Sequence, residues 1–532
     1  MSSPALPVEQ QVWRPKYNPW LIASVVALAA FMEVLDTSIA NVALPYIAGS
    51  LGASIDQSTW VLTSYLVSNA IILPISGWLA GALGRKRFFS ICLTIFTVSS
   101  LLCGFAPSLG MLLFFRVLQG AGGGGLQPMA QAILADTFPP EKRGLAFALY
   151  GITAIMAPTI GPTLGGWITF NYSWRWIFFI NIPVGVATWL LVRRFVEDPP
   201  YLAKIKAAGV KLDYIGIALL ALGIGALQIL LDKGQEDDWF GSRFITTLVV
   251  ISVVCLISLV IWEWFQKAPI VDVRMFKSFN FAGANLMIFM LGVMLFSSLV
   301  LMPQFLQTLL GYTSQLAGLA LSAGGLILLF EMPLVGQLTT KVQARYLIAT
   351  GWLFLCIAMY YSTQRIDLLL SFKAATWLRI EQVIGLGFLF VPITLVAYVG
   401  IPPDKNNSVA GIVNFMRNIG SSVGTSMVTT IIARRSQFHQ FRLVQNARLD
   451  NPNFQNSMNG LQKLLLHSGV SSSAPDAQAG ALARIYEVVQ AQAATLAYVD
   501  TFMVLAVAGG IMFFLAFALG RNEPGGGQVI AE

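Results

Sequence analysis

The amino-acid sequence predicts an all-α integral membrane protein with fourteen transmembrane helices, built as two six-helix bundles plus two inserted helices. Three observations carry this reading. Of 532 residues, 56% are hydrophobic and 11% charged, where a soluble domain has roughly 25% charged residues. The mean hydropathy of +0.71 is sustained along the chain, which excludes a soluble enzyme with one anchor and a disordered or fibrous protein. A pattern near the ends of two early spans also recurs in the second half.

Runs of about 20 apolar residues cross a hydrocarbon core as helices. Fourteen are found, at 20–46, 58–83, 88–106, 109–134, 144–170, 174–195, 214–231, 244–265, 281–310, 316–338, 346–362, 376–400, 409–433 and 495–519. An even number places both termini on one side. With that side cytoplasmic, nineteen Lys and Arg fall in inner segments and five in short outer loops, as the positive-inside rule requires. The net charge of +8 is thus topogenic and gives no reason to expect nucleic acid. The polar first eighteen residues carry no secretory signal, so the first span is expected to direct insertion. Cys92, Cys103, Cys255 and Cys356 all lie in apolar runs, which leaves no extracytoplasmic pair for a disulfide. Trp20, Trp60, Trp174 and Trp176 fall at span ends, as interfacial anchors do.

Span 2 ends in PISGWLAGALGRKR from Pro74, and span 10 in PLVGQLTTKVQARY from Pro333, an offset of 259. Arg116-Val-Leu-Gln119 of span 4 has its counterpart in Arg379-Ile-Glu-Gln382 of span 12, an offset of 263. Landmarks in one order at nearly one offset indicate homologous halves around a midplane site, with spans 7 and 8 inserted between them. The expected units are a cytoplasmic N-terminus (1–19), an N-terminal six-helix bundle (20–195), two linker helices with flanking loops (196–280), a C-terminal six-helix bundle (281–519) and a cytoplasmic tail (520–532). A long extracytoplasmic loop, 435–493, holds both histidines, His439 and His467, and a stretch of helical potential near AGALARIYEVVQ. It is either a docking surface or a connecting hairpin.

No Gly-Lys dipeptide or His-Glu-x-x-His occurs, so neither an ATP-driven pump nor a zinc hydrolase is indicated. With both histidines outside the bilayer, a proton path must use carboxylates. Glu33 and Asp36 lie mid-span on one helical face, where each costs roughly 2.5–3.5 kcal/mol to insert. Their mutual repulsion suits one of them to pick up and release a proton. The alternative is a structural network facing a wet cavity. Arg116 and Arg417 are the deepest cations and need acidic or carbonyl partners, permanent or switching. Glu331 and Glu381 are further acids of the same kind, while Arg379 and Asp500 are expected near the outer interface. Gly161-Pro162-Thr163-Leu164-Gly165-Gly166 in span 5 combines close-contact glycines with a kink-forming proline, as a pivot between halves would. The glycine run 120–125 and Gly420-x-x-x-Gly424 offer bending or close packing. The many Phe and Met residues suit an adaptable apolar cavity.

Together LDTSIANVALP, STWVLTSYLV, GWLAGALGRKR, RVLQGAGGG, APTIGPTLGGWI, WRWIFFINIPVG and NFMRNIGSSVGTS span nearly the whole chain, which resembles the EmrB-type fourteen-helix drug:proton antiporters of the major facilitator superfamily. The resemblance implies alternating access of two bundles in the major facilitator fold. It further implies no cofactor beyond the proton gradient and hydrophobic or amphipathic substrates. A bacterial inner membrane, an EmrA-like membrane-fusion partner and a TolC-like outer-membrane channel complete the expectation. By position, Asp36 and Arg116 match the acid and arginine of the span 1 and span 4 motifs. Gly161, Pro162, Gly165 and Gly166 match the antiporter motif, and Gly77 and Arg85 the loop motif after span 2. That loop motif departs from the pattern at Gly81, where an acid is common, so the acid expected to lock the cytoplasmic side is missing there. A dedicated exporter of one metabolite, such as a siderophore or fatty acid, is the alternative within transport. A receptor or scaffold leaves the buried acids unexplained, and a prenyltransferase-like enzyme would need an Asp-rich cluster that no span contains.

Overall fold

The computed structural model describes residues 15–199, 213–267, 269–448, 450–468, 473–520 and 524. Most of the expected terminal segments, and the first part of the inserted unit, lie outside these. The first half comprises α1 (Pro19–Leu51), α2 (Ile55–Leu83), α3 (Arg85–Gly104), α4 (Leu109–Gly123), α5 (Leu126–Thr137), α6 (Pro140–Asn171), α7 (Trp176–Phe179) and α8 (Asn181–Phe195). The inserted pair is α9 (Tyr214–Lys233) and α10 (Arg243–Phe265). The second half comprises α11 (Phe279–Thr308), α12 (Ser314–Leu338), α13 (Ala344–Arg365), α14 (Phe372–Tyr398), α15 (Asn406–Val444), α16 (Pro452–His467) and α17 (Ala474–Ala516).

Local chemistry sets the helix ends. Asn18 accepts from the Trp20 amide ahead of Pro19 to start α1, and Gly52, at φ 63°, ends it, a left-handed position that glycine fills without a Cβ penalty. Ser54 and Gln57 cap α2 reciprocally. In span 4 the helix breaks at Gly124–Gly125, dividing α4 from α5. The flanking glycines are packing contacts as well. A Cβ on Gly122 would lie 2.6 Å from the Phe96 amide, and one on Gly124 2.6 Å from the Asn69 carbonyl.

Among the described residues thirteen helices are long and apolar enough to span a membrane, with α4–α5 and α7–α8 each counted as one. The fourteenth expected span is α15. Its run of Asn, Arg, Ser and Thr from Asn414 to Thr430 lowers its apolar content, yet it packs on α2, α5, α11 and α17. Those polar residues face an internal cavity, described below. The halves meet along α6 with α12 and α2 with α15, while α9 fills the groove between α2 and α15 and α10 covers α9.

Segment 435–493 is helical for most of its length. α15 runs on to Val444, α16 follows, and α17 begins at Ala474, far ahead of the expected span. At 1.5 Å per residue, the 39 residues of α15 and 43 of α17 reach about 60 Å, roughly twice a hydrocarbon core of about 30 Å. Asp500 joins these two helices, accepting from Arg435 Nε at 2.6 Å and lying 2.6 Å from His439 Nε2. Trp20 and Trp176 are exposed as anchors are, but Trp174 is 4% exposed and packs among Ile177, Phe178 and Leu112. The aromatic cluster at the start of span 6 outweighs its position at a span end.

Candidate functional site

Between the halves lies a cavity of about 600 Å³. Its apolar wall includes Leu295, Phe296, Leu299, Leu321 and Phe390, and its polar wall Glu33, Tyr65, Asn69, Gln127, Asn414 and Arg417. It extends toward the side opposite the termini, where Thr59, Asp232 and Thr429 line it.

Glu33 is 3% exposed. Its Oε1 accepts from Tyr65 Oη at 3.1 Å and from Asn69 Nδ2 at 2.9 Å, and its Oε2 from the Gln127 amide. Gly123 makes room for this cluster, since a Cβ there would meet Tyr65 Oη at 2.5 Å and Glu33 Cγ at 3.3 Å. The Gln127 carbonyl in turn accepts from Arg417 of α15, which also donates to Asn414 Oδ1 at 2.8 Å. The Tyr150 hydroxyl completes the cluster, 3.2 Å from Gln127 Oε1 and 3.0 Å from Asn414 Oδ1. A single glutamine therefore connects an acid of one half to an arginine of the other. Gln127, Tyr65 and Asn69 were not singled out from sequence. A lone amide or phenol in an apolar span carries no periodic signal, and only the assembled helices bring these together.

Asp36 is absent from this cavity. It is 2% exposed inside the first half, where Oδ2 accepts from Arg116 Nη1 at 2.6 Å and Oδ1 from Gln119 at 2.9 Å and Asn181 at 2.6 Å. Arg116 also donates from Nε to the Val61 carbonyl at 3.0 Å, and its guanidinium lies 4.2 Å from the centre of the Tyr65 ring. The expected Glu33/Asp36 pair is therefore divided. Three residues advance a helix by about 300°, leaving the two side chains some 60° apart, which is enough to aim one at the cavity and the other behind it. Tyr65 lies between them, its ring against Arg116 and its hydroxyl on Glu33.

The remaining acids lie elsewhere. Glu331 is buried against α14, where a Cβ on Gly387 would collide with its carboxyl, and neither oxygen has a hydrogen-bond donor. Glu381 is half-buried on α14 and does not line the cavity. Arg379, expected near the outer interface, is fully buried, because α14 turns that face onto α11 and α12.

Gly161 and Gly165 pack on α1 within the same half. A Cβ on Gly161 would strike Ser38, and one on Gly165 would lie 3.1 Å from the Ile39 carbonyl; Gly166 is looser. Pro162 lacks the N–H that would reach the Pro158 carbonyl, and Ser38 Oγ donates to that carbonyl instead at 3.0 Å. Contact with the other half is made by other residues of α6: Gly144 on Gly336, Thr159 on Gly325 and Thr163 on Gly318. Gly420 and Gly424 hold α15 against Phe289 and Val293 of α11.

On the side of the termini the halves close. Arg85 pairs with Asp136 of α5 and donates to Asn407 of α15, while Asn406 donates to Asp136 at 2.6 Å. A Cβ on Gly77 would lie 2.8 Å from Ser408 Cα. A charge lock therefore exists without an acid at Gly81, with Asp136 supplying the carboxylate. Nearby, burial opposes ionisation of Asp272, but hydrogen bonds and charges from Lys405 and Arg274 outweigh it and hold the carboxyl below its usual range.

The inserted helix α9 is part of the site. Gln228 donates to Ser422 at 2.8 Å, Asp232 accepts from Thr63, and the buried Lys233 ammonium meets Thr59 and Glu236. Asp232 and Lys233 sit just past the end of an apolar run, where sequence places a loop.

The sequence profile of the Major Facilitator Superfamily matches residues 26–425. The chain is 39% identical over 456 residues to the multidrug export protein EmrB of Escherichia coli K12, covering 85% of this chain and 88% of that protein. It is 40% identical over 430 residues to the fatty acid resistance protein FarB of Neisseria gonorrhoeae, covering 80% and 83%. Among solved structures, the proton:xylose symporter XylE superposes with a TM-score of 0.62 at 14% identity, over 96% of this chain and 97% of that one, a likeness of fold. Its many spans, its paired halves and this similarity make the chain a multi-pass membrane transporter that belongs to the major facilitator superfamily, within the EmrB type.

Proposed function

We propose that this protein is a proton-driven exporter of hydrophobic or amphipathic compounds, with Glu33 as the group that exchanges the proton. The observation that carries this is the Glu33–Gln127–Arg417 bridge across the cavity. As a carboxylate, Glu33 accepts from Tyr65, Asn69 and Gln127 together. Protonation turns one of those acceptor sites into a donor. When the proton sits on the oxygen that faces Gln127, that side chain presents its carbonyl to it, which turns its amide nitrogen on the Arg417 guanidinium and breaks the bridge. A proton taken up from the far side thus weakens a tie between halves and favours reopening toward the termini. There the proton leaves and substrate binds. Asp36 and Arg116 act as a fixed ion pair that positions Tyr65.

In this reading the membrane is the bacterial inner membrane, both termini are cytoplasmic, and the cavity reaches outward. The pump works with an EmrA-like membrane-fusion protein and a TolC-like channel. The helices projecting beyond the bilayer thickness provide a surface for such a partner. With Glu236 paired to Lys233, Glu33 and Asp232 still outnumber Arg417 in the cavity, which favours amphipathic cations. A second reading, a dedicated fatty acid exporter, draws on the similarity to FarB and on Arg417 as a carboxylate anchor beside Leu295 and Phe390.

The test is substrate-triggered proton movement in proteoliposomes across lipophilic cations, dyes and fatty acids. Responses to several chemically unlike compounds support the polyspecific reading. A response to fatty acids alone supports the second, and none with verified insertion rejects proton coupling.

A further inference from the structure

The halves repeat a polar core, and one copy lacks its acid. In the first, Arg116 and Gln119 of α4, Ser100 of α3 and Asp36 of α1 surround a single ion pair. In the second, Arg379 and Gln382 of α14 follow their counterparts by 263 residues, and Ser362 of α13 and Ser298 of α11 follow theirs by 262. The arginine contact repeats as well. Arg379 Nη1 donates to Ser298 Oγ at 2.9 Å, where Arg116 Nη1 donates to Asp36, whereas Gln382 donates to Ser362 Oγ at 3.1 Å and Gln119 to Asp36.

The substitution of a hydroxyl for a carboxylate leaves a charge unmatched. Arg379 is 0% exposed, and no acid among the described residues lies within ion-pair range of it. Its Nε and Nη2 have no hydrogen-bond partner, and neither does the buried hydroxyl of Ser297 beside Ser298. A guanidinium keeps its proton in proteins, and an uncompensated buried cation is strongly unfavourable. The Gln382 carbonyl oxygen is also without a partner, but the unused groups of Arg379 are donors on a positive charge and the Ser297 hydroxyl can add another, which describes a receptor for an anion. A Cβ on Gly324 of α12 would lie 3.2 Å from Arg379 Cγ and 2.8 Å from Val383, and packing this close favours a small anion.

We propose that Arg379, with Ser297, binds a small monovalent anion, chloride in ordinary media, in the role that Asp36 plays in the first half. The site is separate from the transport cavity, whose lining does not include Arg379, and it does not depend on how transport is energised.

The test is thermal unfolding of the full-length protein in detergent at constant ionic strength, in chloride, bromide or gluconate, the last being too large for the site. The expected result is a midpoint roughly 2–5 °C higher in either halide than in gluconate, rising saturably with halide concentration. Ser298→Asp rebuilds the acid, so its midpoint in gluconate is expected to match the parent's in chloride, with the halide effect gone. Should Ser298→Asp not accumulate, Arg379→Gln gives the same comparison, because removing the charge removes the need for an anion. A parent midpoint that is equal in chloride and gluconate overturns the proposal. So does a halide effect of undiminished size in either variant, which would mark a general salt effect.

Discussion

Glu33 and Asp36 share one helix and one charge, but their partners differ. Glu33 accepts only from neutral groups, whereas Asp36 holds a fully buried arginine. Asp36→Asn is therefore expected to leave Arg116 without a counter-charge and to destabilise the first half by about 3 kcal/mol. A drop in unfolding midpoint, with reduced accumulation in the membrane, would be the sign; an unchanged midpoint would show that the pair does not hold the bundle together. The presence of buried acids and arginines was legible in the sequence, since charge inside an apolar run is conspicuous. Their pairing was not. Arg116 to Asp36 and Gln127 to Arg417 join positions 80 and 290 residues apart, and an angle of 60° on α1 decides which acid meets which.

At the scale of elements, glycine and proline positions are explained by what they touch. The span 5 motif seats α6 on α1, with Ser38 supplying the hydrogen bond that Pro162 cannot. Gly165→Leu forces branched carbons onto the Ile39 backbone, and an overpacking cost of about 1–3 kcal/mol with loss of export is expected. Normal export at normal expression would show that α1 and α6 need not stay in close contact. Asp272 ties the segment before α11 to Lys405 ahead of α15. Because its folded value lies below the unfolded one, its contribution is present above an ordinary aspartate value of about 4 and is lost as pH falls through the folded value. The parent should thus unfold at a higher temperature than Asp272→Asn at pH 7, and the gap should shrink below about pH 4. A gap that widened on acidification would reverse the sign of this contribution. Helix positions followed from apolar runs and caps. The extension of α15 and α17 did not, because polar helices outside the membrane lack the signal that marks spans within it.

For the molecule as a whole, the two-half architecture was readable from the repeat, while the closure between halves was not. The lock uses Asp136, Asn406 and Asn407 with Arg85, and no sequence motif joins α3 and α5 to α15. Arg85→Ala should loosen this end, raising hydrogen–deuterium exchange severalfold over residues 406–412 and at the start of α3; unchanged exchange would place the closure elsewhere. The inserted α9 belongs to the cavity wall, so fourteen helices are more than twelve with a spacer. The central claim is that protonation of Glu33 switches the bridge between halves. Its most direct measurement is substrate-triggered proton release from purified protein, compared with Glu33→Gln, in which the side chain is permanently neutral. Protons are expected to leave the parent, with a loss of at least about tenfold in the variant while substrate still binds. Undiminished release from Glu33→Gln would contradict it.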